Sequence, residues 1–431
     1  EILRGPASSL YGADAIGGVI QIFTKRGEGP AHFNASTGFG TYNTSDSSVG
    51  VSGGSELVSY SLQGGYYATK GVTSIHNKND PFGEYNRDPD GYRNNSFSGS
   101  VSLRPVSGHE IGANFLASNG TSRFDASYPS PAGANYRNQE DVANYSVYSR
   151  NRFASNWTST LRVGRSTDDS TGFSQGHGIK DYVFRTDQDQ ASWQNDIKLP
   201  IGSALLAAEY LKQSVSSTTN FTTDERTIRS LLAGWTGNLD QHRFQFNVRR
   251  DDNSQFGGKT TGSGTYGYQF TPAWRAHVSY GTAFRAPTFN ELYFPNIFGP
   301  LYIGNPNLKP EEAKNAEAGV TWEANGHRLS AIYFHNKIDN LIVGWPLANV
   351  NKATIEGTTL SYSANVGPWS GSISVDLQRP RDDDSGNHLQ RRADQQMSSS
   401  LSRRFGDWNV GGEWQVVGKR YDDSANTVRL G

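Results

Sequence analysis

The sequence predicts an all-β membrane protein, a large antiparallel transmembrane β-barrel with a polar interior, and three observations predict it. Apolar and polar side chains alternate with a two-residue period over many short segments. Short turns alternate with long loops along the chain, the asymmetry of an outer-membrane barrel whose short turns share the periplasmic rim. The composition is 35% hydrophobic yet 12% aromatic, with 48 glycines in 431 residues. A soluble core draws on more aliphatic side chains, whereas aromatic girdles around a wet interior call for this balance.

Charge and cysteine content narrow the function classes. The net charge is −1, so the chain carries no basic footprint for nucleic acid. There are 0 cysteines, which excludes a disulfide framework, thiolate metal sites and a cysteine nucleophile. No apolar run approaches the roughly 20 residues of a membrane helix; residues 204–208 are among the longest. The chain starts at Glu1, in mid-segment, and reads as a piece of a longer protein cut at both ends.

Residues 1–26 form a small unit of their own. Gly5-Pro6 stops an incoming strand, Ala7 to Tyr11 allow one helical turn, and Gly12 and Gly17-Gly18 permit tight reversals. Val19 to Thr24 read as a short strand. This unit buries too little apolar surface to fold alone, so it must end a larger domain or pack inside something. A linker, Gly27-Glu-Gly-Pro30, then leads into the strands.

Each strand shows one apolar and one polar face. Val58, Tyr60, Leu62, Tyr66 and Ala68 oppose Ser59, Ser61, Gln63 and Gly65; Phe97 to Leu103 repeat the scheme against Ser98, Ser100 and Ser102. The same alternation runs through Phe244, Phe246 and Val248, through Trp274, Ala276, Val278 and Tyr280, and through Ile373, Val375 and Leu377. It closes with Trp408, Val410, Trp414 and Val416. Short turns fall at 105–109, 271–273, 324–327, 367–370 and 405–407; long loops fall at 70–96, 118–144, 168–187, 281–313, 337–352 and 378–391. A compact soluble domain rarely carries so many loops longer than about 12 to 15 residues. The count comes to roughly nineteen strands, against about 22 for outer-membrane transporters with plugged lumens.

Two enzyme-like spellings occur in the wrong setting. Gly172-Phe-Ser-Gln-Gly176 matches a nucleophile elbow without strand–turn–helix context. Gly262-Ser-Gly-Thr-Tyr-Gly267 matches a dinucleotide fingerprint but leads into Tyr266, Tyr268 and Phe270 at strand spacing. No residue set argues for catalysis. A membrane-embedded hydrolase and a secreted β-rich adhesin remain the rivals from other classes. A stronger constellation is acidic: Asn86-Arg-Asp-Pro-Asp-Gly91 puts Asn86, Asp88 and Asp90 at alternate positions, where hard oxygens can converge for Ca²⁺. A solvated turn is the plain alternative. Asp125, in a second loop, could lie beside the first.

The opening stretch Arg4-Gly-Pro-Ala-Ser-Ser-Leu-Tyr-Gly-Ala-Asp-Ala-Ile-Gly-Gly-Val-Ile-Gln-Ile22 resembles the closing segment of the plug domain of TonB-dependent outer-membrane receptors. Ser279-Tyr-Gly-Thr-Ala-Phe-Arg-Ala-Pro287 and Gly304-Asn-Pro-Asn-Leu-Lys-Pro-Glu311 are similar to stretches shared across that family. Arg250-Asp-Asp-Asn-Ser-Gln-Phe-Gly257 and Arg391-Arg-Ala-Asp-Gln-Gln396 resemble its cobalamin-receptor branch. The resemblance implies that residues 1–26 end a plug lying in the lumen and that 27–431 form the barrel. It implies an outer-membrane transporter, not an enzyme, that takes up cobalamin (vitamin B12) with energy delivered by TonB. A ferric siderophore or another large nutrient is the alternative cargo.

The resemblance also assigns residues. Asn86, Asp88, Asp90 and Asp125 match calcium-binding positions, with Phe124 standing where the family has a tyrosine. Arg391 matches a substrate-contacting arginine and Ala126 a loop backbone contact; a tyrosine contact of the family falls on Ala425. Glu1 and Arg4 are candidates for ion pairs between plug and barrel wall.

Overall fold

The computed structural model describes all residues except Pro6, 24–25, 74–86, 127–133, 175–179, 296–302, Trp345 and Gly431. The chain opens with β1 (Ile2–Arg4), α1 (Ser8–Tyr11) and β2 (Gly18–Ile20). The next strands are β3 (His32–Gly40), β4 (Thr44–Gly54), β5 (Val58–Thr69), β6 (Tyr92–Val106), β7 (His109–Ala126), β8 (Ala134–Ala154) and β9 (Trp157–Ser174). They continue with β10 (Lys180–Lys198), β11 (Ser203–Ser217), β12 (Glu225–Leu239), β13 (His242–Asn253), β14 (Gly257–Gln269) and β15 (Trp274–Arg285). After α2 (Phe289–Tyr293) come β16 (Glu311–Ala324), β17 (His327–Val343), β18 (Ala348–Val366) and β19 (Trp369–Asp382). The chain finishes with β20 (Gln395–Phe405), β21 (Trp408–Val417) and the small pair β22 (Arg420–Tyr421) and β23 (Arg429–Leu430). Strands β3 to β21 follow one another in a single closed antiparallel barrel, nineteen strands, as the alternation predicts. No helix among the described residues is long and apolar enough to cross a membrane.

Contacts divide the chain into two units: Glu1–Gln21, Asp196–Leu206 and Ser230–Gly431 in one, Ile22–Asn195 and Ala207–Arg229 in the other. In the first, the wall is inverted relative to a soluble sheet. On β13 the buried residues are polar, Asn247, Arg249, Asp251 and Asn253, while Phe246 and Val248 on the opposite face are about half exposed. On β16, Glu311, Ala313, Asn315 and Thr321 are buried while Lys314, Ala316, Ala318 and Val320 are exposed. Side chains that would be costly to leave bare in water point outward, so the outer face meets lipid. Polar groups sit inside, where the opening segment covers them.

In the second unit the same inversion holds. Val101 pairs with Ala113 and Leu103 with Ile111 across β6 and β7 on the exposed face, and the Phe97 and Phe115 rings lie 5.1 Å apart. The opposite face receives the linker: Ser59 Oγ donates to Gly27 O at 2.6 Å, and Arg26 pairs with Glu110, which also accepts from Tyr148 Oη at 2.5 Å.

One rim carries turns of two to four residues, such as 107–108, 325–326, 367–368 and 406–407. The other rim carries the variable loops, and here the sequence reading needs correction. The loop placed at 118–144 is mostly strand, since β7 runs to Ala126 and β8 resumes at Ala134. The long loops placed at 168–187 and 337–352 shrink in the same way, while the one placed at 378–391 shifts to 383–394. Beyond the lipid both faces of a strand are wet, so the apolar period fades although backbone pairing continues. Likewise β2 spans only Gly18–Ile20 of the strand read at 19–24, whose last residue lies outside the described set.

Candidate functional site

The opening segment is seated on the inner wall by its small residues. Gly5 ends β1 with φ +78°, and Ala7 N bonds Ala15 O at 2.9 Å, closing the segment around α1. Ser8 and Ser9, 0% and 1% exposed, face β13 to β15. Ser9 Oγ donates to Ser263 Oγ at 2.8 Å, and Phe284 N donates to Ser8 Oγ at 3.4 Å. Asp14 N donates to Phe284 O at 3.2 Å. Ile16 packs against a cluster of Ala283, Ala313, Ile338, Leu341, Ala353 and Leu389, which ties the segment to the loop between β19 and β20. Gly12 is required: its φ of 84° and ψ of −165° fall in a region nearly reserved for glycine. A Cβ there would also lie 2.9 Å from Arg249 Nη2.

Beneath Gly12 lies a buried ion pair. Arg249 Nε donates to Asp251 Oδ1 at 2.9 Å, with the two side chains 5% and 1% exposed, and Ser230 Oγ donates to the same oxygen at 2.6 Å. Burying such charges is unfavourable unless they are paired and hydrogen-bonded, so this stretch of wall is held in one arrangement. Sequence reasoning quoted Arg250-Asp-Asp-Asn without assigning Asp251. The signal was there, since Arg249 and Asp251 two apart on one strand share a face.

A second ion network sits above it. Arg285, at the end of β15, donates through Nε to Glu311 Oε2 at 2.7 Å and through both terminal nitrogens to Glu291 at 3.0 and 3.1 Å. Glu291 closes a capping box on α2, accepting from Thr288 N at 2.7 Å while its own N–H donates to Thr288 Oγ1 at 3.1 Å. Glu311 also accepts from Ile342 N at 2.7 Å. One arginine thus fixes the loop between β15 and β16 against β17. Sequence reasoning missed it, although Thr288-x-x-Glu291 is a legible capping signature.

The residues singled out in the sequence are placed as follows. Asn86 lies outside the described residues. Asp88 and Asp90 lie just before β6, and Asp88 Oδ1 is buried with no hydrogen-bond partner among the described residues. Asp90 N bonds Val72 O at 3.2 Å, and Arg123 N bonds Gly91 O at 2.9 Å, which joins the bases of the two acidic loops. Asp125 is 8% exposed, opposite Asn135 across β7 and β8. Phe124 stacks on Tyr136 with centroids 5.6 Å apart. Among the described residues no three His, Asp or Glu side chains converge as a metal-binding group. Ala126 is the last residue of β7, and its side chain lies outside the described set.

Arg391 is 73% exposed, with φ +56°; its Nε donates to Asp422 Oδ1 at 2.6 Å and its N to Tyr421 O at 2.7 Å. The loop 383–394 is thereby bound to the segment after β21, a link reinforced by Asn426 Oδ1 accepting from His388 N at 2.7 Å. The neighbouring Arg392 is half-buried, and burial pulls its pKa down, a shift that the charge of Glu311 opposes. Glu1 is exposed, and its backbone pairs with Gln21 at 2.9 Å in both directions. Arg4 opposes Gly18 in β1 and β2, and its side chain lies outside the described residues. Contacts of the opening segment with the wall that are defined come instead from Ser8, Ser9, Asp14 and Ile16. The two enzyme-like spellings fall in strands: Gly172 to Ser174 end β9, with 175–176 outside the described residues, and Gly262 to Gly267 lie within β14.

Comparison with known proteins places this wall in a class. The TonB dependent receptor-like, beta-barrel family model matches residues 8–431, and the chain belongs to that family. It is a TonB-dependent outer-membrane transporter, of a family of receptors and transporters rather than enzymes. Among curated proteins it is similar to the vitamin B12 transporter BtuB of Photobacterium profundum, with 29% identity over 449 residues covering 100% of this chain and 70% of that one. Among solved structures it resembles a ferric enterobactin receptor (PfeA) mutant from Pseudomonas aeruginosa, with TM-score 0.83, 18% identity, and coverage of 100% and 75%. The siderophore receptor PirA of Acinetobacter baumannii gives TM-score 0.78, 17% identity, and coverage of 97% and 72%. The copper transporter OprC gives TM-score 0.78 at 15% identity, with coverage of 97% and 72%. At these identities the structural likenesses speak for the fold.

Proposed function

We propose that this transporter imports cobalamin. The observation that carries the reading is similarity along the whole chain, 29% identity, to a curated vitamin B12 transporter. The motif spellings at 250–257 and 391–396 support it. In this reading residues 1–26 are the end of the plug and 27–431 the barrel. The ligand lodges among the extracellular loops, where the exposed Arg391 guanidinium donates to amide or phosphate oxygens of the corrinoid and the backbone at Ala126 lines the approach. Ca²⁺ held by Asn86, Asp88, Asp90 and Asp125 orders the two loops whose bases are joined at Gly91 and Arg123. Passage needs the opening segment to leave its seat on β13 to β15, and TonB supplies the work for that. No covalent step is involved.

The test is equilibrium binding of radiolabelled cyanocobalamin to outer membranes carrying the full-length protein, with ferric enterobactin as competitor. Saturable binding that ferric enterobactin leaves unchanged, with uptake lost in a tonB-deficient strain, is the expected result. Absence of saturable binding, or displacement by the siderophore at equal concentration, overturns the cobalamin assignment.

A further inference from the structure

The inner wall of the first unit runs on past the seat of the opening segment toward the short-turn rim, and there it holds a cavity. At the seat, Ser9 Oγ and Asn247 Nδ2 both donate to Ser263 Oγ, at 2.8 and 3.1 Å. Each inward row beyond lies two residues closer to the rim. Gln245 stands opposite Thr265 in the first; Arg243 stands opposite Gly267, and Gly267 opposite His277, in the second; Gln269 stands opposite Arg275 in the third. On β13, Arg243 and Gln245 share the face of buried Asn247 and Arg249, since a strand turns alternate residues to one side. The cavity between these rows has a volume of about 360 Å³ and reaches from Asn238 on β12 to His277 on β15. Missing side chains make the room. Gly267 separates Arg243 from His277, and a Cβ at Gly319, on the other side of His277, would collide with the imidazole ring.

No carboxylate lines this cavity. Three stand on the wall around it. Glu317, one row nearer the seat on β16, accepts from Asn315 Nδ2 at 2.7 Å and lies under Gly5, whose missing Cβ would be 3.0 Å from Glu317 Oε1. Glu323 approaches Arg275 Nη2 only to 3.8 Å, and Asp240 stands in the turn between β12 and β13. Among the described residues Arg243 forms no ion pair, and the side chains of Gln245, Thr265 and His277 form no hydrogen bond. Two guanidinium groups with neutral donors around them and no carboxylate in the lining suit phosphate oxygens, which arginine grips with directed paired donors. Short turns face the periplasm, so cargo from the loop side reaches this cavity only after the opening segment has left its seat. We propose that the cavity is an exit subsite for the nucleotide phosphate of the corrinoid. Arg243 and Arg275 take its oxygens from the strands on either side of β14, and Gln245 and Thr265 take neighbouring amide groups. The inference rests on the cobalamin reading and adds to it a second phosphate station, beyond the one assigned to Arg391.

The test compares two radiolabelled corrinoids, cyanocobalamin and cyanocobinamide, the second lacking the nucleotide phosphate. Surface binding and initial uptake at saturating ligand are measured in intact cells carrying the full-length protein. Arg243→Gln/Arg275→Gln should leave the surface affinity for both at the native value, because the cavity lies behind the seated segment. Uptake of cyanocobalamin should slow about tenfold, the lower end of what one charge-assisted hydrogen bond contributes, while uptake of cyanocobinamide keeps its native rate. Arg243→Lys/Arg275→Lys should recover most of the lost rate. The single variants Arg243→Gln and Arg275→Gln should show the same selectivity at smaller size, which keeps the test readable should the double variant fail to assemble. Cyanocobalamin uptake at the native rate, or equal slowing of the two corrinoids, overturns the exit subsite while leaving the cobalamin reading in place. Native protein that binds neither corrinoid fails that reading, and this inference falls with it.

Discussion

Replacing Gly12 with alanine should unseat the opening segment, and the structure supplies both parts of the effect. At φ 84° and ψ −165° a side chain is strained, by about 1–3 kcal/mol. The new Cβ also meets Arg249 Nη2 at 2.9 Å and Cζ at 3.2 Å. Arg249 is only 5% exposed and cannot simply swing into solvent, so it must shift away from Asp251. Losing that charge-assisted bond costs about 1.5–3 kcal/mol. Together the two place the seated state about 3–5 kcal/mol higher, a change of roughly a hundredfold or more in the seated-to-unseated ratio. The chain has 0 cysteines, so a single Ser9→Cys reporter, at a position 1% exposed, reads the seat cleanly. With Gly12→Ala added, modification of Cys at position 9 by a water-soluble maleimide should accelerate by about that hundredfold. Gly17→Ala is the control, because nothing lies within 4 Å of its Cβ. If Gly12→Ala labels no faster than Gly17→Ala, the reasoning about the seat is wrong.

Other consequences follow from the ion networks and loops. Arg285→Met leaves Glu311, 5% exposed, and Glu291 without their shared partner, and should lower unfolding free energy by about 3–5 kcal/mol. Arg285→Lys should recover part of it in a detergent-solubilised thermal melt. Asp423 accepts from Val428 N at 2.7 Å and from Thr427 N at 3.0 Å, and these bonds hold its pKa below the ordinary carboxylate value. A depressed folded pKa means the stabilisation is present above the unfolded value near about 4 and is lost as pH falls through the folded one. Hydrogen exchange at the Thr427 and Val428 amides should therefore stay protected at neutral pH and open in acid, and Asp423→Asn should abolish that pH dependence. Under the calcium proposal, millimolar Ca²⁺ should tighten cyanocobalamin binding in the native protein but not in Asp88→Ala/Asp90→Ala. Equal affinity with and without chelator would remove Ca²⁺ from the account.

The parts of this fold that lie within the lipid were legible because lipid imposes a strict period of two. Phe244, Phe246 and Val248 alternate with Gln245 and Asn247 for that reason alone, and their strand is where the sequence put it. Above the lipid the constraint lapses, which is why β7 and β8 continue to Ala126 and back from Ala134 through residues read as a loop. The turn at Ser8 to Tyr11 and the reversals at Gly12 and Gly18 were readable from glycine placement. The partners of that segment were not. Ser9 meets Ser263 across 254 positions, and such pairs depend on barrel register rather than on local spacing. The facing of Arg243 and His277 across Gly267 is hidden for the same reason: they flank it only once β13, β14 and β15 have paired. Of the candidate ligand residues, Arg391 was found as an exposed guanidinium, yet its tether to Asp422 has no signature in the sequence around it.

Under the import proposal, the opening segment seated on β13 to β15 must leave that seat for cargo to pass. Ser9 Oγ and Ser263 Oγ lie 2.8 Å apart, within reach of a bond of about 2.05 Å between sulfurs. In full-length Ser9→Cys/Ser263→Cys protein, radiolabelled cyanocobalamin uptake by intact cells should stop under oxidising conditions and resume with reductant, while surface binding persists throughout. Uptake at the native rate with the disulfide fully formed would contradict it.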